Sequence, residues 1–177
     1  GTASFGNTTL TSAYGQSDIF VAKVTSSGAW EWALSAGGTL DDQGYGISSL
    51  ADGSSVVTGS FGDTVSFGSI SLTSAGGLDV FVARVTSSGA WEWAVSAGGT
   101  DDDNGQGISS HADGSSVVTG PFEGTVSFGS ISLTSAGGLD VFVARVTSSG
   151  VWQWALSAGG NGSDQGYGIS ALADNSS

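Results

Sequence analysis

Apolar residues occur in short β-branched runs bounded by Gly, Ser and Asp. "SVVTGSF" (55–61) is such a run and predicts a strand. "TVSFGSISLTS" (64–74) sets Val65 and Phe67, then Ile70 and Leu72, against alternating Ser and Thr, which predicts two short strands about Gly68. "DVFVARV" (79–85) is apolar at odd and even positions alike, as a strand covered on both faces should be. After the "TSSG" turn, "AWEWAVSAGG" alternates again. That spacing predicts Trp91, Trp93 and Val95 on one face, with Glu92 and Ala94 on the other. "DDDNGQG" reads as a loop, and "GISSHADG" as a strand and turn leading back to "SVVTG". No segment has helical spacing with caps. The fold class is therefore all-β, with four or five strands expected in each copy of a repeat.

The repeat organises the chain. "DVFVARVTSSGAWEWAVSAGG" (79–99) returns as "DIFVAKVTSSGAWEWALSAGG" (18–38) and "DVFVARVTSSGVWQWALSAGG" (140–160), a period of 61 residues seen also at Asp52, Asp113 and Asp174. Such a period indicates stacked or radially arranged units that cannot bury an apolar face alone. The 177 residues divide into a single repeat domain, 1–177, with copies at 1–53 (partial), 54–114 and 115–177, the last lacking its final strand.

The order of short signatures resembles the bacterial β-propeller repeat family of the SBBP type. The likeness is carried by "AGGTLDDQGYGISSLADGSSVVTGSF" (36–61) and "DVFVARVTSSGAWEW" (79–93) and extends copy by copy over nearly the whole chain. It implies a propeller of about three blades per chain. Propellers close with about four to eight, so a second chain is expected to complete a ring of about six. The alternative is a closed three-fold monomer, a β-trefoil or β-prism. The protein is expected to be secreted or at the surface of a bacterium, a reading that rests on its composition.

Net charge is −13, from 16 acidic residues against Lys23, Arg84 and Arg145. Such a surface repels phosphate backbones and anionic bilayers, so neither nucleic acid nor membrane insertion is expected. Cys is absent, which removes disulfides and thiolate chemistry. The low Lys content, the many Ser, Thr and Gly and the acidity fit an extracellular setting. The start "GTASFGNTTL" has no basic region or long apolar run and is not a signal peptide, so the expected source is a longer gene product.

Three sets of residues could carry function. Trp30, Trp32, Trp91, Trp93, Trp152 and Trp154 could offer stacking platforms to a sugar, or could form the core between blades. Asp101, Asp103 and Asn104 could give oxygens to calcium, although no twelve-residue calcium loop surrounds them, and solvated turns explain them as well. Asp18, Asp79 and Asp140 precede the buried strand, and Lys23, Arg84 or Arg145 lies five residues on, which allows an ion pair along or between blades; strand-end polar groups explain these acids as well. His111 stands where the other copies have Leu50 and Leu172 and reads as a tolerated replacement; Pro121 marks a strand edge or bulge. The Gly pairs lack a following Lys or helix and are not phosphate loops. Since nearly every acid is repeated, no asymmetric catalytic site is expected. The reading is a non-catalytic scaffold or adhesion module that partners itself, with a lectin-like glycan binder as the alternative.

Overall fold

The computed structural model describes residues 1–12 and 16–172, and among these it contains sixteen strands and no helix. Asp174 lies outside the described residues. The strands are β1 (Thr2–Phe5), β2 (Thr8–Thr11), β3 (Ile19–Val24), β4 (Trp30–Gly38), β5 (Gln43–Ser49), β6 (Ser55–Phe61), β7 (Thr64–Phe67), β8 (Ile70–Thr73), β9 (Asp79–Val85) and β10 (Trp91–Ala97). They continue with β11 (Gly107–Ser110), β12 (Ser116–Phe122), β13 (Thr125–Phe128), β14 (Ile131–Thr134), β15 (Asp140–Val146) and β16 (Trp152–Ala158).

Two four-stranded antiparallel meanders dominate: β5-β6-β9-β10 and β11-β12-β15-β16. Between the second and third strand of each lies an inserted hairpin, β7-β8 or β13-β14. A full copy thus holds six strands, rather than four or five. The hairpin does not join its own sheet. Instead β7 pairs with the end of β4 in the preceding copy (Gly37↔Ser66, Gly38↔Val65), and β13 makes the matching bridge from Ser127 to Gly98. The sheets span residues 43–97 and 107–158, so a cut at 54 or 115 separates β5 from β6 and β11 from β12.

Local chemistry sets the register. In the "TSSG" turn, Gly89 adopts φ +80°, and its N–H donates to the Thr86 carbonyl at 3.0 Å. In the "ADG" turn Gly53 sits at φ +81°, and the Asp52 carboxylate accepts the Ser54 N–H at 2.9 Å. β6 then runs antiparallel to β9 over seven positions, from Ser55↔Val85 to Phe61↔Asp79. As the sequence implies, β9 is covered on both faces and is buried along nearly its whole length. Pro121 lies within β12, opposite Val141, beyond the point where pairing with β11 stops at Thr119.

The core forms two clusters, one at each contact between successive copies. The first joins Ile19, Val21 and Ala36 to Val57, Phe61, Phe67, Phe81 and Val85. The second joins Val56, Val80, Val82 and Ala97 to Val118, Phe122, Phe142, Ala144 and Val146. β5 and β11 also lie next to each other, and the Ser110 N–H donates to Ser48 Oγ at 3.0 Å. Ala171 N–H repeats that bond on Ser109 Oγ, also at 3.0 Å.

Candidate functional site

The chemistry gathers at the junctions between copies. In each Trp-Xaa-Trp strand the register slips by one residue: Trp91 pairs with Val85 but Trp93 with Arg84. The same slip sets Trp30 against Val24 with Trp32 against Lys23, and Trp152 against Val146 with Trp154 against Arg145. A bulge places two residues opposite one and re-aims the side chains. The two tryptophans therefore do not share a face, which corrects the strict alternation read from the sequence. Trp91 points to the preceding copy and Trp93 to the following one.

Each indole N–H inside the stack is bonded across a junction. Trp91 Nε1 donates to the Ser35 carbonyl at 3.2 Å and Trp152 Nε1 to that of Ser96 at 2.9 Å. Trp32 Nε1 donates forward to the Ser87 carbonyl at 3.1 Å, and Trp93 Nε1 to that of Ser148 at 3.0 Å. Trp91 and Trp152 also meet Phe67 and Phe128 edge to face, with ring centroids 5.0 Å apart. Gly150 comes so close to the Trp93 ring that a Cβ there would lie 3.0 Å from it. At the two ends the pattern is incomplete. Trp30, packed on Phe5, is half exposed, and Trp154 lines an open apolar cleft of about 330 Å³ with Val141, Val143 and Leu156.

Each junction also encloses carboxylates. Asp103 is fully buried. Its N–H donates to the Leu78 carbonyl of one sheet at 2.6 Å, and its Oδ1 accepts the Glu123 N–H of the next at 3.3 Å. Burial, assisted by the neighbouring charges of Asp79 and Asp101, pushes its carboxyl up to about 7 against the pull of the Glu123 and Gly99 amides. Asp42 holds the same place at the first junction. Neither of its oxygens has a close hydrogen-bond partner, and burial outweighs the Gly38 and Gly62 amides to push it to about 6. Asp79 accepts the Ala75 N–H at 2.9 Å through Oδ2, while its Oδ1 is unpaired. Burial raises it too to about 6. Gly98 lies flat on this carboxylate, and any side chain there would collide with it.

Of the two readings of the strand-end acids, Asp79 and Asp140 follow that of polar groups, each accepting a main-chain N–H. Arg84 leaves the strand-end Asp79 alone and reaches Asp52 of the turn at 2.6 Å and Glu92 at 3.2 Å. Arg145 pairs with Asp113 at 2.8 Å, whereas Lys23 pairs with Glu31 at 3.0 Å. Ser54 and Ser115, through hydroxyl and N–H, and then the arginines hold Asp52 and Asp113 below the usual carboxylate range.

Of the calcium candidates, Asp103 faces inward. Asp101 is at the surface, where it accepts from Thr100 Oγ1 at 3.1 Å. The Asn104 N–H donates to the Pro121 carbonyl at 3.0 Å. Among the described residues no three His, Cys, Asp or Glu side chains gather as a metal-binding group. His111 is buried, whereas its counterparts Leu50 and Leu172 are half-buried and exposed. Asp103, being buried, is not a solvated turn residue, and Asp42 is buried likewise. The signal that marks them is their fixed place (Asp42, Asp103, Asp164) within loops that otherwise vary. No family model matches the chain, and no curated protein matches it.

Proposed function

We propose that the chain is a non-catalytic β-propeller module, as its resemblance to the SBBP-type repeats implies, and that it serves as a scaffold or binding unit of a secreted or cell-surface bacterial protein. The observation that carries this reading is the fate of the indole N–H groups: those of Trp32, Trp91, Trp93 and Trp152 each bond to a main-chain carbonyl of a neighbouring copy. A tryptophan spent as a rivet between copies is not free to stack on a sugar. The four-stranded meanders, with β5 and β11 side by side, favour radial blades over a trefoil or prism.

The repeated acids also have architectural tasks. Asp52 and Asp113 hold a turn and an arginine, and Asp79 and Asp140 each accept an N–H from the hairpin connection at 2.9 Å. Function would then lie in presenting surfaces, with a second copy completing the ring. The test combines glycan-array binding with acrylamide quenching of tryptophan fluorescence. Shielded tryptophans and no glycan hit are expected. Strong quenching of most tryptophans, relieved by a bound saccharide, would replace the scaffold with a lectin.

A further inference from the structure

β3, β9 and β15 have nearly the same sequence, "IFVAKV" against "VFVARV", but not the same neighbours. β9 is covered by β6 and β15 by β12, each across seven paired positions. Among the described residues no strand pairs with the outer edge of β3, which ends its sheet. The cost is visible side chain by side chain. Phe20 is 59% exposed, whereas Phe81 and Phe142 are at 0%. Val24 is 53% exposed, whereas Val85 and Val146 are at 0%. Beside this edge runs a cleft of about 240 Å³ lined by Phe20, Val21, Ala22, Tyr45, Ile47 and Val57.

The two covered copies define what fits there. Thr58 Oγ1 donates to the Phe81 carbonyl at 2.9 Å, and Thr119 Oγ1 to that of Phe142 at 2.8 Å. Val56 and Val57 in β6, like Val117 and Val118 in β12, are buried against the strand they cover and its neighbours. The turn before each strand supplies the Asp that pairs with Arg84 or Arg145. Among the described residues Lys23, at the same position of β3, pairs with Glu31 and with no turn Asp.

We propose that the open edge of β3 is a strand-acceptor site whose occupant is a further copy of this repeat, donating a segment of the Ala-Asp-Gly-Ser-Ser-Val-Val-Thr-Gly-Xaa-Phe type. The segment adds antiparallel to β3 in the β6–β9 register. It completes the main-chain ladder, covers Phe20 and Val24 and brings its Asp to Lys23. This deepens the scaffold reading and rests on it, because it takes the repeat as its own partner.

The probe is a labelled synthetic peptide of residues 51–61, "ADGSSVVTGSF", added to the whole chain. Binding is followed by anisotropy, and site-resolved hydrogen exchange is measured on the outward amides of β3. Saturable binding is expected, with those amides slowed either by the peptide or already in a self-associated chain. A peptide carrying Thr58→Pro should not bind, since Pro breaks the ladder. In the protein, Phe20→Asp should weaken binding by about tenfold or more. Lys23→Glu should weaken it less and be rescued by a peptide carrying Asp52→Lys. Outward β3 amides that exchange fast with and without peptide would overturn the proposal. So would binding indifferent to Thr58→Pro and Phe20→Asp. The chain's mass in solution separates this outcome from that of the ring. A monomer that takes the peptide loses the ring and keeps the acceptor; a dimer with fast β3 amides does the reverse.

Discussion

β9 and β3 have nearly the same sequence in two settings. In β9 the run Asp-Val-Phe-Val-Ala-Arg-Val is sealed between β6 and β10, with a neighbouring copy on either face. In β3 its counterpart keeps only β4 beside it, and alternate side chains stand in solvent. Hydrophobic burial scales with area removed from water, so identical residues stabilise the two strands unequally. A repeat does not carry its stability within itself; its neighbours supply it.

The largest test of this contrast is a pair of truncations. Phe81→Ala opens a hole in the first junction and should cost about 3–5 kcal/mol in urea unfolding, whereas Phe20→Ala should cost less than about 1 kcal/mol. Equal losses would mean that burial by the neighbouring copy is not what stabilises the strand. Next come the rivets. Trp93→Phe removes one of the two donors to the Ser148 carbonyl, the other being Arg84, and should cost about 1–2 kcal/mol; Trp154→Phe, whose ring lines an open cleft, should be close to neutral.

The buried carboxylates make the contrast depend on pH. Asp103, Asp42 and Asp79 have folded pKa values of about 7, 6 and 6, above their unfolded value of 3.8. Folding therefore takes up protons, and their effect is most favourable below pH 3.8 and erodes as pH rises through 6 to 7. Asp52 and Asp113 act in the opposite sense, since the stability they give is present above their unfolded value and is lost as pH falls through their depressed one. Thermal melts should peak in mild acid. Asp103→Asn should raise stability at pH 8 by about 1–3 kcal/mol and flatten the profile, while the exposed Asp101→Asn should change it by less than about 0.5 kcal/mol. Removing the cations should have a modest effect. Arg84→Ala should cost about 1 kcal/mol and Lys23→Ala less, because Lys23 holds one partly exposed Glu31.

Much of this was open to reading in advance, and for a definite reason. A period of two along "TVSFGSISLTS" and glycines at φ-positive turns are local facts, and local facts place strands. The hidden parts are long-range. The bulge that sends Trp91 and Trp93 to opposite neighbours is set by pairing with Val85 and Arg84, not by spacing within the strand. The hairpin β7-β8 crosses to β4 where Gly38 allows close approach to the Thr64 carbonyl, a partner that no alternation reveals. Asp103 resembles its solvated neighbours Asp101 and Asp102 until the next sheet closes over it.

The most direct measurement is light scattering on the purified chain over a wide range of concentration. Flanks that need a neighbour predict a particle of about twice 17.4 kDa. A species that stays at 17.4 kDa at every concentration would contradict that need.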